Sequence, residues 1–248
     1  MSANNRGRIA ARYAAVLTIV LIGASCDQSL GLRTGPPVSE IIVSGQDQVG
    51  TVGHQLTEPV TVRILDAWQS PIYNQPVVFK VISGGGTVPT EVVRTSADGV
   101  SMTTWTLGTS SSESQVLQVQ VIDEISRGIL LLAEFHASAQ PGNVSLLQKT
   151  AGDNQTATVG TAVAIAPTVK AVDQYGNPVS GKDVVWRVVT GGGTIAGGAT
   201  ATSKTDSTGV AVPSGAWKLG PAVGTNTLTA TVTGVTAVTF TATGVVGP

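Results

Sequence analysis

Apolar and polar residues alternate along most of the chain after residue 38, with the two-residue period of β-strands. Segment 227–232 illustrates this, because leucine, alanine and valine occupy every second position and threonines occupy the others. A strand of this kind has one face in a core and the other in water. Turns rich in Gly, Pro, Asn and Asp separate such segments, and no helical period occurs. The pattern therefore predicts an all-β fold of the sandwich type.

The alternation also predicts where the strands of the second half lie. The longest predicted strands are 163–172 and 210–219. The others are 144–148, which forms a first edge segment with 158–159, and then 183–190, 199–204, 227–233 and 236–243.

The chain contains the same order of residues twice, 107 residues apart. A repeat of this length exceeds the ~20–50 residues of a solenoid unit, so each copy is expected to be a complete domain. We predict two tandem β-sandwich domains, at 38–140 and 143–248, of which the first is the more degenerate copy. The matching pairs are 51–53 with 158–160, the turns 66–71 and 173–178, the strands 77–81 and 184–188, and the glycine triplets 84–86 and 191–193.

Residues 1–25 follow a different pattern and predict a secretory signal peptide. Arginines at 6, 8 and 12 precede an apolar run at 14–22 and three small residues. The apolar run is shorter than the ~20 residues of a transmembrane helix. Residues 26–37 contain glycines and prolines without apolar periodicity and are predicted to be a flexible tether.

Cys26 is the only cysteine in the chain and directly follows Gly-Ala-Ser. This arrangement resembles the lipobox of bacterial lipoproteins. The resemblance implies cleavage before Cys26 and lipidation of that residue, which would make a membrane its partner. The alternative is an ordinary cleaved signal with an incidental cysteine nearby.

Charged residues make up 12% of the chain, and they argue against a nucleic-acid partner. Removing the signal takes away three of the 14 Lys and Arg residues and leaves 11 of them against 15 Asp and Glu. Phosphate binding needs clustered basic residues, and no such cluster occurs. We therefore expect no nucleic-acid binding.

Residues that could support catalysis or bind a metal are sparse. His54 and His136 have no cysteine or second histidine at zinc-ligand spacing, so no metal site and no cofactor are expected. The glycine triplets lack the lysine of a phosphate-binding loop and are interpreted as bends between strands. The adjacent Asp123 and Glu124 are interpreted as a solvated hairpin end rather than a catalytic pair. Calcium at the domain junction is an open alternative, for which only Asp153 lies nearby in sequence.

The four tryptophans separate into core residues and one candidate for contact. Trp186 is equivalent to Phe79, and Trp217 is equivalent to Trp105, so a shared role in core packing is expected for them. Trp68 lies in a turn, where the second copy has Gln174 or Tyr175. We expect Trp68 to be exposed and available for a contact.

The second copy resembles a bacterial Ig-like domain of group 1, the type found in intimin- and invasin-like adhesins. The first copy departs from it, because Asp-Ala-Trp-Gln-Ser-Pro at 66–71 replaces the usual glycine-asparagine turn. The resemblance implies two Ig-like β-sandwiches, and no binding residue of that family maps onto this chain. The residues that carry it are Asp-Gln-Tyr-Gly-Asn-Pro-Val at 173–179, Val-Val-Trp at 184–186, Gly-Gly-Gly-Thr-Ile at 191–195, Trp-Lys-Leu-Gly at 217–220 and Asn-Thr-Leu-Thr-Ala at 226–230.

Together these features predict a non-catalytic, lipid-anchored protein of the bacterial cell envelope. It would act as a spacer, adhesion or interaction module, at the outer membrane or cell surface or on the periplasmic face of a membrane. Its partner would be a protein or a glycan. The alternative is an accessory binding subunit of an envelope enzyme, transporter or polysaccharide system.

Overall fold

The computed structural model describes residues 35–37, 39–122 and 128–247, and of Leu131 and Leu132 it describes the backbone alone. Every regular element in this part is a β-strand. Within the described residues no helix is long and apolar enough to cross a membrane. The predicted signal peptide, Cys26, most of the tether, and Asp123 with Glu124 lie outside the described residues.

The strands of the first copy form two sheets. A three-stranded sheet has the order β1-β3-β6, and a five-stranded sheet has the order β2-β8-β7-β4-β5. The pairing of β2 with β8 is parallel, and the other pairings are antiparallel. These strands are β1 (Ser39–Ser44), β2 (Gln48–Thr51), β3 (Val60–Leu65), β4 (Pro76–Ser83), β5 (Val92–Arg94), β6 (Val100–Thr103), β7 (Gln115–Ile122) and β8 (Ile129–Gln140).

The strands of the second copy repeat this arrangement. A three-stranded sheet, β15-β11-β9, accompanies a five-stranded sheet, β10-β18-β17-β12-β14, and β13 pairs with β16. These strands are β9 (Leu146–Ala151), β10 (Gln155–Thr158), β11 (Thr168–Val172), β12 (Asp183–Thr190), β13 (Thr194–Ile195), β14 (Thr200–Lys204), β15 (Val210–Ala211), β16 (Trp217–Lys218), β17 (Gly224–Thr231) and β18 (Val238–Val245).

Each copy has its own hydrophobic core between its two sheets. In the first copy, alternate residues of β3 and β7 meet Phe79 of β4 and Phe135 of β8. In the second copy, Trp186 and Phe240 lie in the core with their ring centroids 6.0 Å apart. The prediction of an all-β fold with two tandem sandwiches is confirmed, while the exact domain boundaries remain predictions. We call the two units the first and the second sandwich.

For three predicted strands of the second sandwich, either the predicted length or the predicted sheet is wrong. Strand 163–172 is ordered as a strand only at β11, and strand 210–219 is broken between β15 and β16. Pro167 and Pro213 lie where these strands fail, and a proline offers no N–H for a ladder. The predicted edge segment also divides, because β9 joins the three-stranded sheet while β10 pairs with β18 in the other.

The glycine triplets form bends, as predicted. In the second sandwich Gly191 and Gly192 follow the end of β12 with φ values of 88° and 70°. A Cβ on Gly220 would overlap the carbonyl oxygen of Gly191, and a Cβ on Gly108 would overlap that of Gly84 in the same way. The glycines therefore allow two backbone segments to meet, which is a packing role.

Candidate functional site

The turn at 173–178 of the second sandwich is organised by the carboxylate of Asp173. This residue is 2% exposed. Its Oδ1 accepts hydrogen bonds from the backbone N–H groups of Tyr175 and Asn177, both at 2.9 Å. Gly176 completes the turn with a φ of 87°. The turn is thus fixed by hydrogen bonds to one charged group, which is the role expected of aspartate at such a position.

The same turn joins the second sandwich to the first. The side-chain amide of Asn177 donates to the carbonyl oxygen of Thr109 at 2.8 Å. Its Oδ1 accepts the N–H of Ser111 at 2.9 Å. Asp173 in turn accepts the N–H of Gly142, in the linker, at 2.9 Å. We call this set of bonds the junction clamp.

Asn177 is held in position by Asp173. Its side-chain nitrogen lies 3.0 Å from Oδ2 of that carboxylate, and Asn177 is only 8% exposed. Burial by itself would raise the pKa of Asp173. Hydrogen bonds from the Asn177 side chain and from the backbone N–H groups of Gly142, Asn177 and Tyr175 outweigh it and lower the pKa. Asp173 therefore stays ionised and orients the amide that binds the first sandwich.

Tyr175 adds a packing contact at the junction. A Cβ placed on Gly53, in the turn after β2, would lie 2.5 Å from the Tyr175 hydroxyl oxygen. The tyrosine therefore lies directly against the backbone of the first sandwich at a position where glycine provides the space.

The carboxylate at the junction is Asp173, whereas Asp153, the acidic residue nearest the junction in sequence, lies elsewhere. Asp153 follows the end of β9 that is remote from the linker, where it pairs with Lys149 and accepts the N–H of Thr241. Distance along the sequence was misleading, because β9 carries the chain away from the junction. Both oxygens of Asp173 accept N–H groups, which a calcium ion would have to displace. In the described part, no group of three or more His, Cys, Asp or Glu could hold a metal.

The equivalent turn of the first sandwich has the same hydrogen bonds to an aspartate, which we call the frame of the turn, but different residues around it. Oδ1 of Asp66 accepts the N–H groups of Trp68 and Ser70, both at 2.9 Å, and Oδ2 accepts that of Gly35 at 3.2 Å. Gln69 occupies the position of Gly176 and adopts a φ of 63°, which is unusual for a residue with a side chain. Ser70 occupies the position of Asn177, so the amide of the junction clamp has no counterpart here.

Trp68 is exposed, as expected, with 71% of its surface accessible. It occupies the position of Tyr175, and its ring lies against Gly35, where a Cβ would be 2.8 Å from a ring carbon. Trp105, Trp186 and Trp217 are buried at 1% or less, which confirms their predicted core roles. A contact role for Trp68 remains a prediction.

A polar cleft of about 810 Å³ lies beside the junction clamp. His54 contributes to it from the first sandwich, and Gln174 and Lys182 contribute from the second. The side chains of these three residues have no hydrogen-bond partner among the residues that the structure describes. His136 lies on β8 and does not line the cleft, so the two histidines are not brought together there.

The role of Asn177 was missed in the sequence. The two copies differ at four of the six positions of this turn, so the serine at the equivalent position of the first copy gave no distinct signal.

No protein-family model matches the chain, and a search of curated proteins finds no match. Among solved structures, the Yersinia pseudotuberculosis adhesin InvE is similar at 21% identity, over 84% of this chain and 59% of that chain, with a TM-score of 0.38. The Escherichia coli adhesin FdeC is similar at 21% identity, over 83% and 64%, with a TM-score of 0.46. A glycosyl hydrolase family 2 member from Bacteroides cellulosilyticus is similar at 16% identity, over 79% and 24%, with a TM-score of 0.35.

These matches include adhesins of the kind that the sequence resembles and also an enzyme. The chain spans less than two thirds of each of these three proteins, and all three TM-scores are below 0.5. Similar β-sandwiches serve proteins with different activities, so the likeness assigns neither an activity nor a partner.

Proposed function

We propose that the chain is an exported, lipid-anchored protein of the bacterial cell envelope, in which two β-sandwiches form a non-catalytic spacer and an adhesion or interaction module. The junction clamp is the observation that supports this proposal most. Asn177 binds two backbone groups of the first sandwich and is itself held by Asp173. A junction restrained by more than its covalent linker suits a protein that presents a surface at a distance.

The anchor is proposed at Cys26. The basic, apolar and small residues that precede it have the order of a cleaved signal, and its position resembles a lipobox. Residues 26–37 would tether the first sandwich to the membrane, at the outer membrane, the cell surface or the periplasmic face.

The absence of catalysis is proposed because the carboxylates of the second sandwich serve its structure. Asp153, Asp173 and Asp206 accept backbone N–H groups, and Asp183 pairs with Lys204 at 2.8 Å. A general acid or base must be able to reach a substrate proton, and these groups are occupied in turns or at strand ends.

The anchor is tested by metabolic labelling with palmitate in a bacterial host. The wild-type chain should be labelled and should fractionate with membranes. Cys26→Ala should lose both the label and the membrane association. Cys26→Ser, which keeps a side chain of similar size but has no thiol, should lose both as well. An unlabelled wild-type chain that is released after cleavage would overturn the lipid anchor.

The interaction role is tested by adding protease to intact cells that carry the labelled protein. Digestion of both sandwiches would support display on the cell surface. Protection until the outer membrane is permeabilised would exclude adhesion to other cells and leave a periplasmic spacer.

The polar cleft favours a second candidate, an accessory binding subunit of an envelope enzyme, transporter or polysaccharide system. Clefts between domains are common ligand sites, and His54, Gln174 and Lys182 offer polar side chains that no other described residue engages. Affinity purification from detergent-solubilised envelope should then yield one stoichiometric partner. That partner should be lost when Lys182→Glu reverses the charge of the cleft, while Lys204→Glu on the exposed edge strand β14 should retain it.

A further inference from the structure

The repeat places two exposed aromatic side chains at one end of the first sandwich. Trp68 and Tyr73 occupy the positions of Tyr175 and Ser180 in the second sandwich. Both of those residues line the cleft at the junction, on the end of the second sandwich that faces the first. Trp68 and Tyr73 therefore lie on the equivalent end of the first sandwich. We call this end the entry pole, because the chain reaches it from the tether at Gly35.

The entry pole is more apolar than its counterpart in the second sandwich. Trp68 is 71% exposed and Tyr73 is 69% exposed. Strand β7 ends at the same pole, because the side chain of Gln75 donates to the Ile122 carbonyl oxygen at 2.7 Å. Ile129, at the start of β8, is 55% exposed. Exposed aromatic and aliphatic side chains at one end of a domain are suited to an interaction surface.

Another sandwich is a poor occupant of the entry pole. The second sandwich binds the first through the amide of Asn177, which supplies one donor and one acceptor to backbone groups. Ser70 at the equivalent position is too short to supply both, and Trp68 is larger than the tyrosine that fits against Gly53. The turn has thus lost the polar pair of the clamp and carries an aromatic side chain instead.

Few residues separate the proposed anchor from the entry pole. Residues 27–34, which separate Cys26 from Gly35, can span at most ~28 Å when fully extended. Gly35 is fixed at the pole, since its N–H binds Asp66 and its backbone lies against the Trp68 ring. A lipid at Cys26 would therefore allow Trp68 to reach the headgroups. Tryptophan and tyrosine favour this interface because their rings are apolar and their N–H or O–H group can stay hydrated.

We propose that the entry pole binds the surface of the phospholipid bilayer, with Trp68 and Tyr73 in the interface. This inference rests on the proposed lipid anchor. This contact would fix the orientation of the first sandwich, because the end of the domain nearest the proposed anchor then lies on the membrane. The second sandwich, joined through the junction clamp, faces away from the bilayer.

Tryptophan fluorescence tests this contact directly, because Trp68 is the exposed one of the four tryptophans. The lipidated protein, purified from membranes, is reconstituted into phosphatidylcholine vesicles that contain lipids brominated near the headgroup. Bromine quenches only nearby indoles, so the Trp68 share of the emission should be lost. Trp68→Phe should abolish the quenching and leave the emission of the buried tryptophans unchanged.

A matched control places the indole at the opposite end. Val223 is 62% exposed in the loop after β16, and Trp68→Phe combined with Val223→Trp should give a chain that brominated lipids do not quench. Circular dichroism confirms that each variant is folded. A palmitate-labelled, vesicle-bound protein whose Trp68 is not quenched would overturn the bilayer contact and leave the anchor intact.

Two further outcomes separate the remaining explanations. An unlabelled protein would overturn both the anchor and the contact that rests on it. If Trp68 is shielded from acrylamide without lipid, in a manner that depends on protein concentration, a second copy covers the pole and the bilayer contact is wrong.

Discussion

Truncation of Asn177 to alanine should weaken the junction between the sandwiches selectively. The variant loses the bonds to Thr109 and Ser111 and the bond to the Asp173 carboxylate. A neutral hydrogen bond contributes about 0.5–1.5 kcal/mol net and one to a charged group about 1.5–3 kcal/mol. Thr109 is exposed and Ser111 half-buried, so water can replace part of what is lost. We therefore expect a loss of about 2–4 kcal/mol in the free energy of unfolding.

Two measurements check this expectation. Denaturant unfolding followed by tryptophan emission gives the free energy, because each sandwich contains a buried tryptophan. Hydrogen exchange with residue resolution gives the location, because the Ser111 amide is protected by Asn177 and should exchange much faster in the variant.

Ser70→Ala is the matched control for this substitution. It changes the equivalent position of the first sandwich, where the side chain makes no hydrogen bond with the described residues. Its effect should stay within about 0.5 kcal/mol. The reasoning fails if Asn177→Ala also stays within that range, or if the Ser111 amide remains protected in the variant.

Three further predictions concern pH dependence and packing. Burial raises the pKa of Glu40 above 4.5, so the contribution of this carboxyl group to the free energy of unfolding is present at low pH and is lost as pH rises through the raised pKa. In urea unfolding, Glu40→Gln should therefore be more stable than wild type at pH 8 but not at pH 4. The lowered pKa of Asp173 has the opposite effect, and the deficit of Asp173→Asn at neutral pH should shrink as pH falls below about 4. Gly220→Ala would force a Cβ into the Gly191 carbonyl and should cost about 3 kcal/mol or more in thermal unfolding, whereas Gly247→Ala, which meets only the Thr158 side chain, should be nearly neutral.

The fold could be predicted because its determinants are repeated along the sequence. Phe79 and Trp186 stand at equivalent positions of alternating strands, and both are fully buried in their own cores. Pro167 and Pro213 also indicated where two predicted strands are interrupted, but the alternation of apolar and polar residues continues on either side of them and predicted unbroken strands. A proline removes one N–H from a strand and fixes its own φ, so its effect depends on whether that N–H would face a neighbouring strand.

The junction could not be predicted in the same way. Asn177 has local uses in a turn, and nothing in its own surroundings indicates that loop 109–111 of the other sandwich will meet it. That meeting depends on the path of the whole first sandwich and on the angle of a short linker. Sequence distance pointed to Asp153, which the intervening strand β9 places elsewhere.

The two equivalent turns show how one frame comes to support different contacts. In both, an aspartate accepts two N–H groups of its turn and one from the segment that precedes its sandwich. The first turn keeps this frame although Gln69 adopts a left-handed conformation, which costs a residue with a side chain roughly 1–2 kcal/mol. The aspartate bonds must therefore outweigh that cost. Because the aspartate bonds fix the backbone of the turn, the exposed side chains of the two turns are free to differ. Asn177 binds backbone groups of a protein neighbour, while Trp68 presents an apolar ring that suits a surface without such groups.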